Sequence, residues 1–174
     1  MSVTNIKQLF LVGFLGLALV GCSSTPKTEE AAPVASVDTS DADAARLAAE
    51  KAAADLAAKK ANLMAIIAGK VVRFEFDKSD VQPEFFSIVK ANADYLALDP
   101  SVAVTVTGHC DERGTREYNL ALGERRAAAV KTALMAEGVS ADRINVVSMG
   151  EDSPVAEGHN EAAWSENRRA EFAY

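Results

Sequence analysis

Cysteine is scarce. The 174 residues hold two, Cys22 and Cys110, too few for a disulfide framework. Their settings also differ: Cys22 directly follows an apolar run and Cys110 lies in a strand-like one. Histidine is as rare, with only His109 and His159. Zinc asks for three or four ligands at workable spacing, and no such set is visible. Positive charge is in deficit, 18 Lys and Arg against 25 Asp and Glu, for a formal net charge of -7. Gripping a phosphate backbone needs a basic patch, so nucleic acid is a poor partner. The apolar run at residues 9–20 falls short of the roughly 20 residues of a membrane-spanning helix. Aromatic residues make up only 6%, in part because the N-terminal third is so rich in alanine.

That N-terminal run has the parts of a secretory signal. Lys7 and the amino terminus supply positive charge, residues 9–20 are apolar with interspersed glycine, and Leu19-Val20-Gly21-Cys22 closes the segment. These four residues resemble the bacterial lipobox. The resemblance implies that residues 1–21 are a signal peptide, that the Cys22 thiol takes a diacylglyceryl group, and that Cys22 becomes the first mature residue and is acylated again. One chain alone would hold only marginally at roughly 0.8 kcal/mol per buried methylene, whereas two or three give a stable anchor. Ser23 implies sorting to the outer membrane, with the folded part facing the periplasm. The plainer alternative is a secreted protein cut nearby with a free cysteine.

Residues 22–40 carry Pro26, Pro33 and small or polar side chains that cannot bury a core, which predicts a flexible linker. Residues 41–69 are dominated by alanine, the best helix former. Asp41 and Asp43 suit an N-terminal turn, Asp55 and Lys59 form an i,i+4 pair, and Gly69 ends the run. This predicts a spacer helix that packs weakly. Large residues at sustained heptad spacing, which a coiled coil needs, are missing.

From residue 70 to 174 the pattern alternates. Strands are expected at 71–76, 102–109, 144–149 and 169–174. Helices are expected from Pro83 to about Leu98, with Phe86, Val89, Ala93 and Leu96 on one stripe, and over 116–136, closed by Gly138. A short helical turn falls near 161–164. The order predicts an α+β, two-layer sandwich, with a four-stranded mixed sheet and helices on one face. On the second strand Val102, Val104 and Val106 face one way. Thr105, Thr107 and His109 face the other. Continued alternation puts Cys110 with the valines and Asp111 with His109. In the long helix, at about 100° per residue, Leu122, Arg126, Val130 and Ala133 share a stripe. Arg126 thus interrupts an apolar face and needs an anionic partner; a structural ion pair with Asp111 or Asp77 would satisfy it as well as a ligand would.

Three motifs then stand out: Phe74-Glu75-Phe76-Asp77, Thr107-Gly108-His109-Cys110-Asp111-Glu112-Arg113-Gly114-Thr115, and Asn119 through Gly123-Glu124-Arg125-Arg126-Ala127. With Asn167-Arg168-Arg169-Ala170 they resemble OmpA-like C-terminal domains and, more narrowly, those of peptidoglycan-associated lipoproteins. Cys110 departs from the pattern, which usually has alanine or threonine there. The resemblance implies non-covalent binding of peptidoglycan through the diaminopimelate of the stem peptide, which ends in an ammonium and a carboxylate on one carbon. It assigns Asp111 to the ammonium and Arg126 to the carboxylate, for which a guanidinium fork is suited. Asp77 and Phe76, at the end of the first strand, line the pocket; Leu122 packs beside the ligand; Asn119 positions the loop or makes a helix-turn hydrogen bond. No cofactor, metal or catalytic residue is implied. The implied partner is TolB, a periplasmic propeller competing with peptidoglycan, within the Tol-Pal system that supports envelope integrity and constriction at division.

Two other functions are weighed. A Tol-independent OmpA-like lipoprotein would still bind the wall. A cell-wall hydrolase would need a catalytic carboxylate pair or a cysteine-histidine pair, and alternation turns Cys110 away from His109.

Overall fold

The computed structural model describes residues 39–174. The signal peptide, Cys22 and the linker of residues 22–40 lie, up to Asp38, outside the described residues. The alanine-rich run forms helix α1, Thr39–Ile67. Its first half is solvated, with Leu47 62% exposed. Near its C-terminal end Ile67 is buried, and the Lys60 Nζ donates to Asp99 at 2.7 Å, just past the helix that ends at Leu98.

The rest is strand β1 (Val72–Arg73), α2 (Phe86–Leu98, entered through a 3₁₀ turn at Pro83–Phe85), β2 (Val104–His109), α3 (Arg116–Ala136), β3 (Ile144–Gly150), α4 (Glu161–Asn167) and β4 (Arg169–Ala173). The sheet order is β1-β4-β2-β3. β2 and β3 run parallel, joined by α3, while β4 is antiparallel to both β1 and β2. This is the expected mixed sheet with helices on one face. Val72, Val104, Val106, Ile144 and Ala170 meet Val89, Leu96, Val130 and Leu134 in one core. Each fully buried large apolar side chain there contributes roughly 1.5–3 kcal/mol.

Two local expectations are corrected, and the structure adds the burial of one side chain that alternation had placed only by its face. The first strand is two residues long, not six. Phe74 N–H still donates to Arg168 O at 2.9 Å, but the carbonyls of Glu75 and Lys78 turn to the Arg126 guanidinium instead of a neighbouring strand. Phe76 and Asp77 therefore sit in a turn, where Asp77 adopts φ 56°, a left-handed conformation that Asp tolerates better than most residues. Phe86 is exposed, and its place on the buried face of α2 goes to Asn92, which donates to Ile88 O and accepts from the Tyr174 hydroxyl. His109, placed by alternation on the face opposite the valines, is buried there: the register slips between Gly108 and His109, and Arg169 and Glu171 of β4 stand beside the ring.

One contact sets the geometry of the site. A Cβ on Gly108 would lie 1.9 Å from Gly123 O, so β2 and α3 touch backbone to backbone. Only glycine at both positions permits that approach. It lays the first turns of α3, with Asn119, Leu122 and Arg126, against the end of β2.

Candidate functional site

Three separate stretches converge at that end of the sheet: the turn after β1, the loop from β2 into α3, and the start of α3. They enclose a cavity of about 200 Å³ lined by Phe76, Asp77, Cys110, Asp111, Arg113, Gly114, Tyr118, Asn119, Leu122 and Arg126. All six side chains singled out from sequence, Phe76, Asp77, Asp111, Asn119, Leu122 and Arg126, are brought together here. A drug-sized ligand needs roughly 300 Å³ or more, so the cavity suits one small end group.

Its floor is sealed. Arg126 is fully buried. It donates from Nε to Lys78 O (2.9 Å), from Nη1 to His109 O (2.8 Å) and Cys110 Sγ (3.3 Å), and from Nη2 to Glu75 O (3.1 Å). Four of its five N–H groups are thereby committed. Neither Asp111 nor Asp77 pairs with it among the described residues, so the ion pair weighed from helix position is not how the fold satisfies it. Backbone carbonyls are. Burial lowers its pKa, partly offset by Cys110 and Asp111. Asn119 donates to the carbonyls of Asp111 and Arg113, both at 3.2 Å, and to the Glu151 carboxylate. Of the two roles expected for it, positioning the loop is the one observed. Leu122 is buried beside it. Cys110 is a buried thiol raised in pKa by burial, with the Sγ 3.2 Å from Asn119 O; it is shielded and protonated, a poor nucleophile.

Asp111 is 4% exposed. It accepts from the Arg113 backbone N–H and Nε (each 3.1 Å), from Arg113 Nη2 (2.6 Å) and from Arg168 Nη1 (3.3 Å). Burial would raise its pKa; the hydrogen bonds from Arg113 and Arg168 outweigh burial and hold it below the ordinary carboxylate value.

The rim is open. Phe76 is 55% exposed. The Arg113 guanidinium lies between two rings, 4.0 Å from the Phe76 centroid and 4.1 Å from that of Trp164. Asp77 is exposed and accepts from the Tyr118 hydroxyl. Thr115 caps α3 by accepting from Tyr118 N–H at 3.2 Å, which fixes where Tyr118 starts. Glu112 accepts from Trp164 Nε1 at 2.8 Å and pairs with His159, holding Trp164 over the loop.

Sequence reasoning missed Arg113, Tyr118, Trp164 and Arg168 as parts of this site. Arg113, two residues after Asp111, and Arg168, in Asn167-Arg168-Arg169-Ala170, each stand in a motif of the resemblance, which was the available signal. The Arg113 sandwich depends on Phe76 and Trp164, far from it on either side in the chain.

With this geometry in view, the chain can be set beside known proteins. The OmpA family matches over residues 73–168. The chain is 52% identical over 103 residues to the peptidoglycan-associated lipoprotein of Pasteurella multocida (strain Pm70), a match covering 59% of this chain and 69% of that protein. The crystal structure of the peptidoglycan-associated lipoprotein from Burkholderia pseudomallei is similar with TM-score 0.60 and 45% identity, covering 62% of this chain and 91% of the other. The C-terminal domain of Helicobacter pylori MotB, 20% identical with TM-score 0.55, covers 60% of this chain and 82% of its own and shares the fold alone.

Proposed function

The chain belongs to the OmpA family, and from that footing we propose that it holds peptidoglycan non-covalently, as a lipoprotein anchored through Cys22. The observation that carries the proposal is the cavity: three distant stretches build one small pocket that brings opposite charges together over a largely apolar lining, in a chain whose relatives are named peptidoglycan-associated lipoproteins. The ligand proposed is the diaminopimelate of the stem peptide. Its zwitterionic end is small enough for about 200 Å³ and asks for an anion and a cation side by side. Asp77, Asp111 and Arg113 offer these with their charges accessible or shared. Arg126 frames the pocket from below, with one N–H uncommitted, so a two-pronged grip on a carboxylate by Arg126 is foreclosed in this state.

By the same family resemblance we place the chain at the outer membrane, in the Tol-Pal system, with TolB and peptidoglycan competing for overlapping surface. Isolation of a stable ternary complex of the chain, TolB and a muropeptide would end that part of the proposal.

Sedimentation with purified sacculi tests the core claim. The chain pellets with sacculi and is released by a soluble stem peptide that ends in diaminopimelate. A chain that stays in the supernatant, or one not displaced by that peptide, overturns it. Release of muropeptides into the supernatant would point to hydrolysis instead.

A further inference from the structure

We propose that α1 is a strut rather than a tether: by docking its last turns antiparallel on α2, it leads the anchored end of the chain away from the cavity, so that the ligand site faces outward from the membrane. This rests on the anchor and the cavity as read above. Direction carries the inference. β2 runs toward the cavity, which opens beyond His109. α2 ends at Leu98, shortly before β2 begins at Val104, so the C-terminal end of α2 lies at the end of the sheet far from the cavity. There, Lys59 and Leu63 of α1 face Asp94 and Leu98 across a cleft. Ile66 and Ile67 face Ser87 and Ile88, near the start of α2, across another. The two helices are therefore antiparallel, and α1 enters the domain from the far end. Every residue from 41 to 59 is exposed. The helix over residues 39–58 thus projects past that end by roughly 30 Å, at about 1.5 Å per residue.

The projection is stiff for local reasons. Its docked end is a formed turn from which helix propagates, which removes the nucleation cost that defeats short isolated helices. The helix holds no glycine or proline to kink it, and Arg46 pairs with Asp43 and Glu50 at 3.5 and 3.8 Å. The latch is the ion pair of Lys60 with Asp99 at 2.7 Å. Asp99 is held in place independently of α1, since it accepts from the Ser101 N–H at 3.1 Å and the Ser101 hydroxyl at 2.6 Å. The hydrogen bonds from Lys60 and Ser101 bring its pKa from 3.8 down to about 2, so the carboxylate stays charged at neutral pH. Both side chains are less than a third exposed, 31% and 28%, and the pair is less screened than one on open surface. Without the latch, α1 would pivot at Gly69, where the chain turns with φ 67° and a Cβ would meet nothing within 4 Å. Gly69 stands between Ile67 and Lys70, both beside Ser87 and Ile88, on the cavity half of the domain. Swinging there frees the cavity to turn toward the membrane. Docking fixes the direction in which the site faces.

Distances between paired spin labels on the full chain in detergent test this. One label is attached through Leu47→Cys, on the free half of α1. The other is attached through Glu117→Cys, at the cavity end of α3, or through Glu137→Cys, past its far end. Cys110 is buried and stays unlabelled. Both distances are narrowly distributed, and the one from 47 to 117 is the longer. Broad distributions, or a shorter distance to 117 than to 137, overturn the strut. Lys60→Glu sets like charges together and broadens both distributions, and adding Asp99→Lys narrows them again. Distributions that stay narrow in Lys60→Glu overturn the latch. Capture of sacculi reads the functional consequence. In detergent Lys60→Glu binds sacculi as the unaltered chain does, which also shows that the variant is folded. Anchored on phospholipid vesicles, it captures severalfold less, because the site no longer faces outward. Equal capture from vesicles overturns the orienting role. An unaltered chain that binds no sacculi in detergent refutes the wall-binding function instead, and the label distances still decide the strut.

Discussion

The floor and the rim of the cavity are built by opposite means. Floor residues are buried and their side chains mostly bond to backbone: Arg126 to three carbonyls, Asn119 to two. Rim residues are exposed or half-buried and hold one another, Arg113 through two rings and Asp77 through Tyr118. A side chain that satisfies buried carbonyls cannot be removed without stranding them, whereas a rim side chain that leaves is replaced by water. Substitutions at the floor should therefore register as lost stability, and those at the rim as lost affinity. It follows that Arg126→Ala is a poor probe of ligand contact, since any loss of binding is confounded with loss of the turn.

Arg126→Ala provides the largest contrast. Leaving the Glu75, Lys78 and His109 carbonyls without their donor and a cavity where the guanidinium stood should cost about 3–5 kcal/mol of folding stability, read as a fall in the denaturation midpoint. A midpoint unchanged by this substitution would break the distinction between floor and rim. Gly108→Ala comes next. The added methyl meets Gly123 O at 1.9 Å, and forcing β2 from α3 should cost about 3 kcal/mol, with the cavity spreading open as a consequence. Full stability would mean that the two glycines are not in contact.

A third test uses pH. His109 is buried, both ring nitrogens lack hydrogen-bond partners, and its pKa is pushed from 6.5 to about 4 by burial and the Arg169 charge, with Glu171 pulling the other way. The fold thus favours the neutral ring. Its contribution is complete above pH 6.5, where neither state is protonated, and is lost as pH falls toward about 4, where the unfolded chain takes a proton the native chain refuses. The loss should approach about 2–3 kcal/mol at 1.36 kcal/mol per unit. Asp111 acts in a different window, since its depressed pKa gives stability lost only below its ordinary value of 3.8. Denaturant melts at pH 7 and pH 4.5 should differ for the native chain and much less for His109→Asn. Equal slopes would show that the ring is not sealed.

The smallest effect on stability belongs to the rim. Asp77→Asn keeps the shape and tolerates the left-handed backbone at φ 56°, so stability should change by less than about 0.5 kcal/mol. Binding to the stem peptide should nevertheless fall about tenfold, the order expected for losing one charge-assisted hydrogen bond. A variant that binds like the native chain would exclude Asp77 from ligand contact.

Much of this was legible in the chain itself. Alanine content located α1 to within two residues, and periodicity located α2 to α4 and β2 to β4, with α3 at its observed bounds, because both depend on nearby residues alone. The strand at 71–76 was not legible. Alternation there is genuine, but Arg126 diverts its carbonyls, and a residue so distant leaves no local mark. Burial of His109 was missed for a similar reason: alternation gives the face, and only the neighbouring strand with Arg169 and Glu171 closes it. The six site residues could be named from motif resemblance, yet their division of labour could not.

Local pattern by itself determined which segments are helix or strand, which faces are apolar, and which short motifs bear charge, since each rests on spacing within a few residues. Which charge is spent on the fold and which is left for a ligand was decided only in three dimensions. Hydrogen-bond capacity is finite, and the carbonyls and rings that use it up arrive from the far end of the chain.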